Sequence, residues 1–351
     1  MNEGSKVHTL SGRYRLTEDE ELIILKYREQ KTLLDKECEV AGIDPKDVRH
    51  YWYKSKMFSV FAKGKTKNLE DLKKEIMDGM KTHSPKYREI KRKKLTDSHC
   101  LVIDPADIHI GKLGSAFETG DKYNVNIAIK RVRDGITGLI NQSSCYKIDQ
   151  IVLFLGNDIL HTDTSKRTTT AGTPQDTDGM WYDNFLVAQK LYVEIIEMLL
   201  PIANVHLIHD VSNHDYMSGW MLTQSVQSWF SKSKNITFDT SMKHRKAYKY
   251  HNNLIGSTHG DGAKESDLPI LFAQEFKKMW YETEHRYIFG KHRHHKTSKD
   301  YVGVTYETSR SASGTDGWHH RNGYQHSVKA VEAYIHHKQL GQVARLTHKF
   351  I

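Results

Sequence analysis

From residue 100 onward the chain alternates short apolar runs with amphipathic stretches. Residues 101–103, 151–155, 205–208, 254–255 and 287–289 are short apolar runs, broken only by His206, the pattern of buried strands. Between them Ile129, Val132, Ile136 and Leu139 recur at three- and four-residue spacing, as do Phe185, Ala188, Leu191, Tyr192 and Ile195. That spacing marks one apolar helix face in each segment. Residues 219–230 and 268–282 read as helices too. Strands alternating with helices predict a layered α/β domain over residues 98–351, with central sheets flanked by helices.

The first 60 residues have a different pattern. Thr17 and Glu20 have capping-box spacing, and Leu22, Ile23, Leu25 and Tyr27 then supply part of an apolar face. A second helix is predicted over 33–40, ending near Gly42. A third starts at Asp44-Pro45, an N-cap followed by proline at the first helical position. Val48 and Trp52, four apart, would face inward and leave Lys46, Arg49, His50, Tyr53 and Lys54 outward. This predicts a small all-α, helix-turn-helix-like domain over residues 1–60, with Lys46, Arg49, Tyr53 and Lys54 as nucleic-acid contacts. The same pattern also fits a helical bundle whose basic face is merely solvated. Residues 61–97 are dominated by charge and read as a basic linker containing an exposed helix, with Lys91-Arg92-Lys93-Lys94 able to touch phosphates.

Composition narrows the classes. Of the 351 residues 38% are hydrophobic, enough for a core, yet no stretch approaches the roughly 20 apolar residues of a membrane span. The N-terminus lacks the apolar core of a secretory signal. Cys38, Cys100 and Cys145 have no paired spacing, which argues against a disulfide framework or a thiolate zinc site. A soluble cytoplasmic protein is expected. The net charge of +9 favours polyanionic partners without specifying one; together with the helix-turn-helix-like start it makes nucleic acid, DNA foremost, the expected partner.

The chemistry lies just beyond the end of each strand. Asp107 and His109 come after the first, Asn157, Asp158 and His161 after the second, and Asn213 and His214 after the third. His259 comes after the fourth, and Lys291, His292 and His294 after the fifth. One such cluster is ordinarily a turn. Five at successive strand ends point to one site, because ligands in open α/β sheets bind beyond the carboxyl ends of the strands.

This ordered series resembles the calcineurin-like metallophosphoesterase superfamily over residues 100 to 300. LGNDILHTD, TTAGTPQDTDG, SNHDY, THGDGAKESDLP, KHRHHK and SGTDGWH are similar to a phage or prophage group within it. The resemblance implies two divalent metal ions, manganese foremost, with iron, zinc or magnesium as other candidates. Asp107, His109 and His294 would bind the first; Asn213, His259 and His292 the second; Asp158 would bridge them. It further implies phosphoester hydrolysis by a metal-activated hydroxide, with His214 as general acid and His161 in contact with substrate or supporting the bridge. A mixed set of imidazole, amide and carboxylate donors suits such metals better than a pure oxygen site would.

Three departures stand out. Asn157 separates Gly156 from Asp158, leaving Asn157 as an alternative bridge. Ser212 replaces the glycine before Asn-His, which should alter the turn and not the ligands. Lys291 replaces the glycine before His292, which would put positive charge close to the metals. Asp316, Trp318 and His319 match the group without a role that the sequence supplies. The substrate class stays open between nucleic acid and a small phosphoester such as a cyclic nucleotide, a nucleotide or a phosphoprotein. An inactive domain on a DNA-binding protein fits least, since nearly every expected ligand is present.

Overall fold

The computed structural model describes residues 86–350, positions 29, 33–36, 38, 39, 74, 75, 78 and 79, and the backbone of residues 50–54 and 59–63. The chain divides into two compact units, Met1–Lys73 and Lys74–Ile351.

In the first unit, residues 33–36, 38 and 39 are helical, within the second predicted helix. β1 (His50–Lys54) and β2 (Ser59–Lys63) pair antiparallel, with His50 opposite Lys63 and Lys54 opposite Ser59. This corrects the sequence reading, since Trp52, Tyr53 and Lys54 lie on a strand and the unit is not all-α. Tyr51, Trp52 and Tyr53 are consecutive aromatic residues, which lose rotamer freedom in a helix and fit a pleated surface well. One apolar pair at helical spacing did not outweigh them. Thr17, Glu20, Lys46 and Arg49 lie outside the described residues.

The second unit holds two sheets. The larger has the order β13-β12-β3-β4-β5-β6. Within it β3 (His99–Asp104), β4 (Ile148–Gly156), β5 (Asn204–Asp210) and β6 (Ile236–Asp239) run parallel, while β12 (Ala330–His337) and β13 (Gly341–Lys349) close the edge antiparallel. The smaller has the order β10-β11-β9-β8-β7, from β7 (Lys246–Tyr250), β8 (Asn253–Ser257), β9 (His285–Gly290), β10 (Thr297–Tyr301) and β11 (Val304–Thr308). Here β8, β9 and β11 are parallel.

Alternation along the strands explains the layering. Cys100, Val102, Val152, Phe154 and Ile208 of the larger sheet pack with Tyr250, Ile255 and Phe289 of the smaller one, and Tyr334 joins them. The sheets therefore stack face to face. Leu101, Ile103, Ile151 and Leu153 are equally buried and by the two-residue period point the other way, toward helices. α1 (Ala116–Thr119) is a single turn, whereas α2 (Val125–Gln142), α3 (Trp181–Leu199) and α4 (Tyr216–Trp229) cover that outer face. Leu254 and Ile288 carry the smaller sheet's outer face onto Leu268 and Phe272 of α5 (Leu268–Glu275), after which comes α6 (Lys277–Tyr281). α7 (Gly317–Arg321) is short and lies in the loop before β12.

Residues 86–97, read from sequence as part of a linker, are fastened to this unit. The Tyr87 hydroxyl donates to Glu197 (2.7 Å), the Ile90 N–H to Asn235 (2.8 Å), and the Arg92 guanidinium to Asn204 (2.6 Å) and the Leu200 carbonyl. Arg92 is thus engaged within the fold. No helix among the described residues is long and apolar enough to cross a membrane.

Candidate metal centre

The loops leaving β3, β4, β5, β8 and β9 carry the predicted ligands, and they meet. His294 Nε2 lies 3.4 Å from His109 Nε2 and 3.5 Å from Asp107 Oδ1. His259 Nε2 lies 3.2 Å from Asp158 Oδ2 and 3.0 Å from Asn213 Oδ1. His292 joins Asp158 and His259, with donor atoms of the three within 4.8 Å of one another. His109, His161 and His214 form a third such group, with His161 Nδ1 3.4 Å from His109 Nδ1. The His214 N–H donates to Asp158 Oδ1 (2.9 Å), and its ring Nδ1 sits 2.9 Å from the His161 carbonyl.

Unusual backbone makes this convergence possible. Asp107, His109, Asn157, Asp158, His292 and His294 all have φ between 49° and 67°. That left-handed region costs non-glycine residues roughly 1–2 kcal/mol each and concentrates at functional sites. Hydrogen bonds between the loops hold it: the Asp107 N–H donates to the Asn157 carbonyl and the His109 N–H to that of Asp158, each at 2.9 Å. The His292 N–H reaches both oxygens of the Asp107 carboxylate, at 3.1 and 3.2 Å, and ties the last loop to the first. Gly156 has φ 100°, and a Cβ there would sit 2.0 Å from the Asp210 carbonyl oxygen. Only glycine fits between these two strand ends.

The donor set fits divalent cations. At each of the first two groups, imidazole nitrogens and carboxylate or amide oxygens face one another, an arrangement that repels unless a proton or a cation lies between. Burial drives the pKa values of His109 and His161 well below the usual range and also lowers that of His292. Neutral imidazole is the form that binds metal. His259 differs. Burial opposes its charge, but the Asp158 carboxylate beside it outweighs burial and raises its pKa to about 9. Burial likewise acts to raise Asp158, yet His259 and His214 hold it well below the usual carboxylate range.

The three departures noted in the sequence have physical accounts in the structure. Asn157 is fully buried and its amide lies 3.5 Å from Asp104 Oδ1; of the two candidate bridges, Asp158 is the one within the cluster. The Ser212 hydroxyl accepts from the Asp158 N–H (2.9 Å) and donates to Asp215, so the serine fixes the turn that carries Asp158. Lys291 does not direct its charge into the cluster. It is fully buried, with its ammonium on Asp210 (2.8 Å), on the Ser257 hydroxyl and 4.0 Å from the Phe154 ring centroid. Lys291 stands two residues after Phe289, so alternation sends both side chains between the sheets.

Beneath the cluster, Asp104 accepts from the Ser309 hydroxyl (2.6 Å). Burial raises its pKa to about 6, with Lys291 pulling the other way. A carboxyl raised in the fold stabilises it most below the unfolded value of 3.8, and that contribution is lost as pH rises through about 6. Asp104→Asn is therefore expected to be more stable than the wild type at pH 8, by on the order of 2–3 kcal/mol. The advantage should vanish near pH 4. Denaturant titrations across that range check it, and a pH-independent difference would contradict the assignment.

Sequence reasoning singled out Asp316, Trp318 and His319 at α7 without a role for them, and missed Lys112. His319 stacks on His294, with ring centroids 5.3 Å apart and planes at 15°. Asp316 caps the helix, accepting from the His319 N–H (2.8 Å) and lying 2.7 Å from its Nδ1. Lys112, buried, pairs with Asp316 at 2.9 Å. Nothing in the local pattern of Lys112 signals a partner so far along the chain. In the loop after β4, Arg167 bonds Thr177, and the Thr170 N–H donates to the Asn213 carbonyl (3.2 Å). That loop supports Asn213, with Arg167, Thr168 and Thr169 outside the ligand groups.

The chain matches no family model and no curated protein. Among solved structures it is similar to Vps29 from Entamoeba histolytica complexed with zinc, at 14% identity and a TM-score of 0.30, covering 72% of this chain and 99% of that one. An archaeal phosphodiesterase gives 9% identity and a TM-score of 0.34, covering 69% of this chain and 99% of that one. A predicted phosphoesterase from Streptococcus pneumoniae gives 12% identity and a TM-score of 0.28, covering 73% and 99%.

Proposed function

We propose that the second unit is a two-metal phosphoesterase that hydrolyses phosphodiester bonds of nucleic acid. The observation that carries this reading is the pairing of two ligand groups with an adjacent, backbone-held imidazole. Asp107, His109 and His294 form one group, Asn213, His259 and His292 the other, and Asp158 lies against His259 while receiving the His214 N–H. The order of these residues along the chain resembles that of calcineurin-like metallophosphoesterases. Two bound divalent ions, manganese foremost, would supply Lewis acidity toward phosphoryl oxygens and a nucleophile from water near neutral pH.

The chain's own residues do the rest. With His214 Nδ1–H donating to the His161 carbonyl, Nε2 is left as the atom that faces substrate. A protonated His214 would donate from Nε2 to the departing ester oxygen as the P–O ester bond breaks, while the attacking water bonds phosphorus and gives up a proton to solvent. Asp158 holds His214 through its backbone N–H, which couples the acid to the ligand groups. The net charge of +9 favours a polyanionic substrate, and the first unit is assigned its docking.

The test is hydrolysis by metal-free protein before and after adding Mn²⁺, across single- and double-stranded DNA, RNA, cyclic nucleotides and a generic phosphodiester. Mn²⁺-dependent cleavage of polymer, with binding that weakens steeply as salt rises, is expected. Turnover confined to small phosphoesters would overturn the nucleic-acid assignment. Absence of turnover with every divalent metal tried would overturn the phosphoesterase reading itself.

A further inference from the structure

The rim beside the first ligand group carries aromatic rings that the fold leaves uncovered. Trp318 is 61% exposed and Tyr324 60% exposed, with centroids 5.7 Å apart and planes at 30°. Two adjacent exposed aromatic faces beside a site form a ready surface for a planar ligand. These two are joined to the site. Trp318 meets His319 edge-on at 5.1 Å, and His319 stacks on His294. A line of rings therefore runs from a proposed metal ligand outward to solvent.

The segment is anchored. The buried Lys112–Asp316 ion pair fixes the start of α7. The Thr315 N–H donates to Asp121 at 2.9 Å. The last turn of α7 bears His319, His320 and Arg321. Exposed aromatic faces beside a cation, here the Arg321 guanidinium, are the combination that binds an unstacked nucleobase together with its phosphate. A phosphoserine or phosphothreonine would offer no ring to such a surface.

We propose that Trp318 and Tyr324 form a stacking platform for a nucleobase of the substrate strand next to the scissile phosphate. This inference rests on the nucleic-acid reading above and makes it specific: the substrate presents an unpaired base at this position, so single strands or frayed ends are preferred over continuous duplex. Trp318 and Tyr324 are specificity residues, while His319 and Asp316 position them.

The experiment compares a fluorescently labelled thymidine hexamer with a hexamer of abasic units, bound to the full chain without metal. Stacking on one base is worth about tenfold in affinity. The thymidine hexamer should bind at least about tenfold tighter than the abasic one. The W318A/Y324A variant should lose that preference, and W318F/Y324F should keep most of it. Both variants change exposed side chains, and an unaltered thermal midpoint checks their fold. Equal binding of the two hexamers, or a preference that survives W318A/Y324A, overturns the proposal. In parallel, Mn²⁺-dependent turnover is measured on methyl p-nitrophenyl phosphate and on thymidine 5′-(p-nitrophenyl phosphate), which release the same leaving group. W318A/Y324A should lower kcat/KM on the nucleoside ester about tenfold and leave the methyl ester within about twofold. Base-dependent binding without turnover of either ester would overturn the phosphoesterase reading and leave the platform standing; turnover of both esters without any nucleoside preference would do the reverse.

Discussion

Asp158→Asn is expected to lower Mn²⁺-dependent phosphodiester turnover by roughly a thousandfold while leaving the fold intact. The reason lies in how both carboxylate oxygens are used. Oδ1 accepts the His214 N–H and Oδ2 lies 3.2 Å from His259 Nε2. An asparagine can keep the first contact, but it removes a negative charge from between the ligand groups and presents an amide N–H₂ where an acceptor is needed. Charge stabilisation by clustered metals is worth several kcal/mol, and about 4 kcal/mol corresponds to the thousandfold loss. Stability should change little near neutral pH, because the variant loses the pair with protonated His259 but also relieves the repulsion that, together with burial, raises Asp215 to about 7.

The same variant has a readout independent of turnover. In the metal-free protein His259 has a pKa of about 9 against an ordinary 6.5. A raised histidine stabilises the fold fully below about pH 6.5 and loses that contribution as pH rises through about 9. With Asp158 neutralised, the His259 midpoint should fall toward or below 6.5, because burial then acts with less opposition. Histidine NMR titrations check this. Full turnover in the purified variant would refute the placement of Asp158 between the two ions.

His214→Ala is expected to cost about 10²–10⁴-fold in turnover of unactivated phosphodiesters, the usual span of a positioned general acid. The loss should depend on the leaving group. An alkoxide needs the proton, whereas p-nitrophenolate leaves almost unaided, so p-nitrophenyl esters should be far less affected. Affinity for Mn²⁺ should stay within a few-fold, since His214 is placed outside the two ligand groups. A uniform loss across leaving groups, or a large loss of metal affinity, would move His214 from proton donor to ligand. The close approach of ring nitrogens from His109, His161 and His214 is the geometry that such an outcome would draw on.

Much of this was legible from residue order. The five apolar runs became β3, β4, β5, β8 and β9, and the periodic segments became α2, α3, α4, α5 and α6. Strong periodicity survives in isolation because it reports which face is buried. The break between α5 and α6 at Phe276 was not legible. Nor were β12 and β13, although β12 is buried along its whole length. AVEAYIHH carries Glu332 and two histidines, and only neighbours such as Arg310 and Lys296 around Glu332 make that burial tolerable. At the other end of the chain, consecutive aromatic residues at 51–53 overrode a helical spacing read from one apolar pair.

The sequence by itself determined the second unit's layered α/β class and the identity of the clustered residues. Periodicity says which face is buried, polar residues beyond the carboxyl ends of parallel strands share one edge, and the resemblance in their order picked out the ligands among them. The tertiary structure alone decided what the individual groups do there. Asp158 and Asn157 are adjacent in sequence, and only the left-handed turn behind Gly156 sends one into the cluster and the other beneath it. Lys291 looks from its position like a charge at the site, yet strand alternation buries it against Asp210. His319 becomes part of the rim only because Lys112, distant in sequence, fixes Asp316. Direction, burial and long-range pairing are set by packing, and packing is the one quantity that a local pattern does not contain.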